Sequence, residues 1–438
     1  MNQKEQQQFF ALLRAGLWDT HAEAEMFSGD THWETIFVQA ARQTVQGLVA
    51  KAASTLPTEV QPPAPVLSKA RSIVAATIRS HALLNRTLGE AVTMLARNGI
   101  RPVLLKGQGV ATNYVEPTLR MCGDIDLYVG RQNYRRACAL ARQWGETAEE
   151  GTESEKHYHF HHAGVTVELH RIAEQLPLPW QDTRFQRWTR RHLHGNNLRS
   201  VVIEGATVSL PPVNFDALYV FNHVWHHFSA GGGIGLRQLC DWVRYLHAFR
   251  HEIDRPQLER DLRAFGLWRP WRVFGPIAVD VLGLPREEFP FYTSAFARHG
   301  ERMLAMIECE GNFGFFDTAR TERPDGYIAG KLHSLGWMHR RMWRLLPAYT
   351  LQVAAAWSRY IYKGIAKAAK DAMGLKPKEG RLSHSPSAKA DGNSTTDTSP
   401  CPSGVLLPSV STDGQRKSTN KRALAPSPAK KETTKNEL

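Results

Sequence analysis

Leu104-Leu105-Lys106-Gly107, followed after a gap long enough for a helix by Arg120-Met121-Cys122-Gly123-Asp124-Ile125-Asp126-Leu127-Tyr128-Val129, decides how this chain folds. The first piece reads as a strand ending in a glycine turn that opens a helix, and the second as a strand carrying two carboxylates. Side chains alternate faces along a strand, so Asp124 and Asp126 project together while Ile125 and Leu127 pack the other way. Two bare carboxylates on one face repel, and one tends to protonate. A hard divalent cation such as Mg²⁺ relieves the repulsion by taking oxygen ligands from both.

A third acid follows in Val165-Thr166-Val167-Glu168-Leu169-His170, another alternating stretch, with Glu168 and His170 on one face and Val167 and Leu169 on the other. A strand lying beside the Asp124 strand completes a three-carboxylate site. Such a site suits phosphoryl or nucleotidyl transfer, where metal ions neutralise charge on the transferring phosphate and the protein positions the reactants. A lone Asp-x-Asp commonly marks only a solvated strand end. The glycine turn before it, the apolar neighbours opposite and the later Val-Glu-Leu-His strand separate this case from that one.

In this order the motifs resemble the uncharacterised bacterial nucleotidyltransferase family of the DNA polymerase beta-like superfamily, over about residues 30 to 300. The resemblance implies that Asp124 and Asp126 are the metal-binding pair and that Glu168 is the third carboxylate, as a metal ligand or as a base toward the acceptor hydroxyl. It implies Mg²⁺ or Mn²⁺ as cofactor, a nucleoside triphosphate as donor, and Gly107 at the turn that holds the triphosphate. Here the chain departs from the usual Gly-Ser, because Gln108 follows Gly107 and Gly109 comes next. Backbone amides of a glycine turn still suit phosphate, but the hydroxyl contact is missing. By charge, Lys106 and Arg120 are candidate phosphate contacts, an arginine fork matching phosphate oxygens. The bland alternatives leave Lys106 in solvent and pair Arg120 with the nearby aspartates.

The resemblance extends to Leu236-Arg237-Gln238-Leu239-Cys240-Asp241 and to the preceding His223 and His227. This helical part is expected to close over the nucleotide or the acceptor, with His170, His223 and Asp241 as acceptor or lid residues. His223 and His227 are four apart on one helical face, as are Arg237 and Asp241 on the next helix. For His227 and for an Arg237 to Asp241 surface pair the structural role is the expected one. The glycine-rich turn between these helices, residues 229–235, lacks the Lys-Ser or Lys-Thr of a P-loop and reads as a connector.

A chain of 438 residues with 42% hydrophobic content can bury a substantial core in two or three structural units. The formal net charge is +13, yet about +12 of it falls after residue 330, which leaves the acidic region close to neutral. That argues against a nucleic-acid groove around the site, since such a groove needs clustered Lys and Arg. Cys122, Cys138, Cys240, Cys309 and Cys401 are too scattered for a zinc ligand set or a disulfide framework. The polar start does not read as a signal peptide and no apolar run is long enough to span a bilayer, so a cytoplasmic location is expected.

Four regions are expected: an N-terminal helical cap over residues 1–98, an α/β core over 99–210, a helical region over 211–373 and a disordered basic tail over 374–438. In the first, residues 9–18, 33–53 and 66–98 carry helical apolar spacing. In the second, residues 132–144 read as an amphipathic helix ending at Gly145. His157, His159 and His161 then share a strand face, a pattern that suits a transition metal but lacks a further ligand set, and so reads as a strand near the site. Residues 331–373 mix Trp337, Met338, Met342 and Trp343 with Arg340, Arg341 and Arg344. Packing on the body is the expected outcome, and peripheral contact with an anionic surface the alternative. The tail is too polar to offset its ordering entropy.

The sequence therefore predicts an α+β protein with a small mixed sheet bearing Asp124, Asp126 and Glu168 between helical flanks. The expected activity is metal-dependent transfer of a nucleoside monophosphate to a hydroxyl acceptor, small molecule or protein. The alternatives are a catalytically silent nucleotide- or partner-binding module and an antitoxin-like protein AMP-transferase.

Overall fold

A computed structural model of the chain describes residues 1–145, 156–229, 233–316 and 327–345, together with positions 324, 354–355, 357–358, 361–362 and 364–365. The expected tail over 374–438 lies outside the described residues.

The fold is α+β and its centre is a six-stranded mixed sheet in the order β3-β4-β2-β1-β6-β5. The strands are β1 (Val103–Leu104), β2 (Asp124–Tyr128), β3 (His157–His162), β4 (Val165–His170), β5 (Arg199–Ile203) and β6 (Ala206–Leu210). β2 runs antiparallel to β1 and parallel to β4, while β1 is parallel to β6. Two hairpins flank this centre, β3–β4 and β5–β6. Their turns, Ala163-Gly164 and Glu204-Gly205, place both residues at positive φ, the geometry whose twist matches that of the paired strands. Sequence patterning does not pick out the second hairpin, because Arg199, Ser200 and Thr207 dilute its apolar alternation.

The two-residue period sorts the sheet into two chemistries. Ile125, Leu127, Tyr158, Phe160, Val167 and Leu169 all join one buried cluster beneath the long helix α4 (Ala64–Arg97) and helix α6 (Gly130–Trp144). The opposite face carries the acids and histidines. Helix α6 matches the expected amphipathic helix, with Gly145 at its C-cap.

The N-terminal helices are α1 (Gln3–Trp18), α2 (Trp33–Arg42) and α3 (Gln46–Ser54). Residues 33–53 are thus two helices, where the apolar spacing suggests one. The break has a purpose in packing: Gln43 is fully buried, its Oε1 accepts from the Leu236 amide at 3.0 Å and its Nε2 donates to the Ile307 carbonyl at 3.0 Å. Thr44 next to it takes a positive φ of 55°. Leu236 opens the helix α9 (Leu236–Ala248), which follows α8 (Val213–Ser229), so one glutamine caps an element almost 200 positions away.

Phe9, Leu12 and Trp33 share one continuous apolar core with Phe215, Trp242 and Trp271, so the N-terminal helices and the later helical region bury their faces together. Near the end of the described chain a helix over Tyr327–Leu345 packs on the body through Met338, Met342 and Leu345. Its Arg341 is buried against Glu310 and the Phe228 carbonyl, whereas Arg340 and Arg344 are exposed. Among the described residues no helix is long and apolar enough to cross a membrane.

The closest approach in the N-terminal region is made by Gly16 of α1, where an added Cβ would lie 2.3 Å from the Leu48 carbonyl oxygen of α3. Backbone cannot swing aside as a side chain can. Gly16→Ala is expected to lower stability by about 1–3 kcal/mol, as overpacking does, measured by urea denaturation.

Candidate functional site

Strand register builds the site. Parallel pairing of β2 with β4 sets Asp126 opposite Glu168 and Tyr128 opposite His170. Asp124 lies two residues before Asp126 on the same face, so carboxylate oxygens from Asp124, Asp126 and Glu168 all fall within 4.8 Å of one another. Asp126 is 1% exposed, and the other two are partly open to solvent. The sequence-predicted acids are therefore brought together from two adjacent strands.

Cations of the protein itself stand around them. Lys106, at the end of the β1 strand, places Nζ 3.1 Å from Asp126 Oδ2. His170 Nε2 lies 2.9 Å from Asp126 Oδ1 and 3.3 Å from Glu168 Oε2. Carboxylates only accept, so the imidazole carries its proton on Nε2 and donates to both. The Lys106 ammonium is held above its ordinary proton affinity: burial works against the charge, but Asp126, Asp124 and Glu168 outweigh it. His170 is likewise raised, because its bonds to Asp126 and Glu168 overcome the effect of burial.

The acids divide unequally. Burial first, then the neighbouring Asp126 charge, push the Asp124 carboxyl up to about 6. Desolvation would raise Glu168 as well, yet the hydrogen bond from His170 and the adjacent His157 hold it well below the usual carboxylate range. Burial would raise Asp126, but Lys106 and the His170 hydrogen bond keep it low. The donor set fits a hard divalent cation such as Mg²⁺ or Mn²⁺, because three carboxylates converge from two strands and offer oxygen ligands only.

Gly107 takes φ 63° and ψ −121° at the start of the short helix α5 (Gln108–Ala111), where an added Cβ would touch the Asp124 carbonyl oxygen at 3.4 Å. Glycine thus lets this turn pass beside the acidic strand. Gly109 is small for a different reason: a Cβ there would meet Leu210 Cδ2 at 2.7 Å, so it serves close packing of α5 on the sheet. Gln108, standing where a hydroxyl is usual, is buried with neither end of its amide hydrogen-bonded.

Arg120 and Asp241 pair with each other, and Asp241 does not take Arg237, the partner that helical spacing offers it. Arg120 Nε and Nη2 each donate to one Asp241 oxygen at 2.7 Å, and Tyr114 Oη donates to Asp241 Oδ1 at 2.7 Å. All three side chains are buried, and the fork is fully taken up. Arg237 instead donates to the Met121 carbonyl at 3.2 Å, and its charge lowers the proton affinity of Asp124. Its Nε is buried without a hydrogen bond. Arg237 is thus bonded three residues before Asp124, and its charge favours the ionised form of that carboxyl, which the sequence hides because helical spacing offers Asp241 as an obvious partner.

Helix α8 passes nearby. His223 is held well below the ordinary imidazole value by burial and then by the Lys106 charge, so it is neutral. His227 packs edge-on against it with ring centroids 4.4 Å apart. Glu174, buried and bonded to Lys156 at 2.9 Å, is a further acid in the molecule's core. Nothing in its local pattern separates it from a surface glutamate.

The family described as uncharacterised nucleotidyltransferase matches residues 29–282, more than half of the chain. No curated protein and no solved structure matches it.

Two outcomes follow from the electrostatics. The Asp124 carboxyl is raised on folding, so its favourable contribution is complete below its unfolded value near 4 and is lost as pH rises through about 6. Asp124→Asn is therefore expected to raise the Tm of the metal-free protein in EDTA at pH 8 and to leave it unchanged near pH 4, by scanning calorimetry. Asp241→Ala strands a buried guanidinium, and a loss of about 3–5 kcal/mol is expected for breaking such a pair, read by urea denaturation.

Proposed function

The chain belongs to the uncharacterised nucleotidyltransferase family, and we propose that it transfers a nucleoside monophosphate from a nucleoside triphosphate to a hydroxyl group, with Mg²⁺ or Mn²⁺ held by Asp124, Asp126 and Glu168. The single observation that carries this reading is the convergence of those three carboxylates from β2 and β4 within 4.8 Å.

In the reaction the acceptor oxygen bonds to the α-phosphorus, the bond from that phosphorus to the bridging oxygen breaks, pyrophosphate leaves and the acceptor proton passes to solvent. A cation held by Asp124, Asp126 and Glu168 would supply Lewis-acid stabilisation of charge on the phosphate oxygens. Everything else falls to the chain. Glu168, held well below the usual carboxylate range, is a poor proton acceptor and acts as an oxygen ligand. His170 fixes the orientation of Asp126 and Glu168 through its Nε2 proton, as partners behind metal ligands do.

Phosphate contacts come from Lys106 and Arg237, the ammonium and guanidinium whose charges act on Asp124, with Gly107 letting the backbone turn close to the acids. Neutral His223 on α8 is assigned to the acceptor side. A silent binding module is the rival reading, favoured by Gln108 where a hydroxyl is usual. Turnover separates the two. Purified protein incubated with mixed nucleoside triphosphates, Mg²⁺ and cell extract is expected to move nucleotide mass onto an acceptor, by mass spectrometry. Asp124→Asn and Asp126→Asn are expected to lower that rate at least about 100-fold with the circular dichroism spectrum retained; unchanged rates would overturn the assignment.

A further inference from the structure

The sequence groups His157 with His159 and His161 along one strand. The fold groups it differently. Antiparallel pairing of β3 with β4 sets His157 directly opposite His170, and Glu168 lies two residues before His170 on the same face. His157 Nδ1 is 3.7 Å from Glu168 Oε2, His170 Nε2 is 3.3 Å from that same oxygen, and the two imidazole rings are 5.2 Å apart between centroids.

From this we propose that His157, Glu168 and His170 form a second cation site, of two nitrogens and one oxygen, that takes a zinc-class transition-metal ion and adjoins the acidic triad through the shared Glu168. Donor atoms of the three residues all lie within 4.8 Å of one another, and the His170 nitrogen that faces Glu168 releases its proton to solvent when the ion binds, exchanging its hydrogen bonds for a metal bond. A point equidistant from three atoms so placed is at most about 2.8 Å from each, so closing onto metal–ligand bonds of about 2.0–2.2 Å takes shifts of under about 1 Å.

Ligand chemistry separates the two sites. The triad is all oxygen and suits a hard cation that keeps several waters. Two imidazoles with one carboxylate form the set that holds zinc while leaving a coordination position open, and imidazole nitrogen favours Zn²⁺, Co²⁺ or Ni²⁺ over Mg²⁺. Strand pairing sets all three positions from the backbone: His157 and His170 form the last rung between the edge strand β3 and β4, and Glu168 lies on the next rung in that faces the same way. Accessibility is graded in a way that permits entry: the His157 side chain is 26% exposed, Glu168 18% and His170 3%. The inference stands on register and donor chemistry, and holds whether or not the transferase reading does.

The test uses the untagged full-length protein, stripped of metal and titrated with Co²⁺ in the presence of excess Mg²⁺. Expected is a saturable visible ligand-field band, carrying the signature of nitrogen ligation, at one equivalent, which Zn²⁺ displaces and Mg²⁺ does not. His157→Ala is expected to weaken Co²⁺ binding at least about 10-fold, and Glu168→Gln to weaken it as well. His161→Ala, on the same strand but outside the cluster, is expected to bind as the unaltered protein does, with circular dichroism reporting that each variant folds. No band, a band that excess Mg²⁺ abolishes, or equal loss in His157→Ala and His161→Ala overturns the proposal. The readout is metal binding, so a protein without nucleotide turnover still answers it, and a protein without Co²⁺ binding can still be assayed for turnover.

Discussion

Like charge held at close quarters is the constraint around which this structure is arranged. The ladder between β2 and β4 fixes Asp126 against Glu168, and the two-residue period adds Asp124 to the same face. Three carboxylates within 4.8 Å repel strongly in a partly desolvated site, and a paired strand has no freedom to part them. The neighbouring elements answer that repulsion. Lys106 reaches in from the end of β1, His170 projects from β4 itself, and Arg237 approaches from α9. The remaining strain settles on Asp124, whose proton affinity is the one that rises.

Holding such a site open requires a rigid frame, and the apolar packing supplies it. One sheet face is sealed by α4 and α6 against Ile125, Leu127, Val167 and Leu169, so the acids can point only one way. The other side is held by a polar lock: Arg120, just before β2, is bonded through Nε and Nη2 to Asp241 on α9, with Tyr114 donating to the same carboxylate. This lock ties the approach to the acidic strand to the helix that delivers Arg237. Buried ion pairs of this kind cost desolvation and give back geometry, here the fixed separation of α9 from the start of β2.

Local periodicity made the sheet face and its acids legible, because alternation over five or six residues is a property of a single strand. Asp124, Asp126, Glu168 and His170 share a face for that reason, and apolar neighbours mark the buried side. Partners separated by more than a hundred positions are another matter. Arg120 finds Asp241 across 121 residues and Gln43 caps α9 across 193, and neither pairing leaves a trace in local spacing. In the sequence Arg237 and Asp241 look like partners at i and i+4, yet the buried Arg120 fork is the stronger competitor for the carboxylate. His157 groups with its own strand in the sequence for the same reason: alternation shows which residues share a strand face, but cross-strand register decides which of them meet.

The field around the acids has a direction. Positive charge is supplied by Lys106, His170 and Arg237, from β1, β4 and α9. On the α8 side the imidazoles of His223 and His227 are neutral, because burial and the nearby Lys106 charge disfavour their protonation, His227 being pushed down to about 3. An anionic group is therefore drawn to the Lys106 ammonium and the Arg237 guanidinium themselves, where charge-assisted hydrogen bonds are strongest. The histidine side offers rings that can donate or accept without adding charge, which suits an uncharged hydroxyl better than a phosphate. That asymmetry follows from burial as much as from residue type: were α8 more exposed, its histidines would titrate near their ordinary value and blur the distinction.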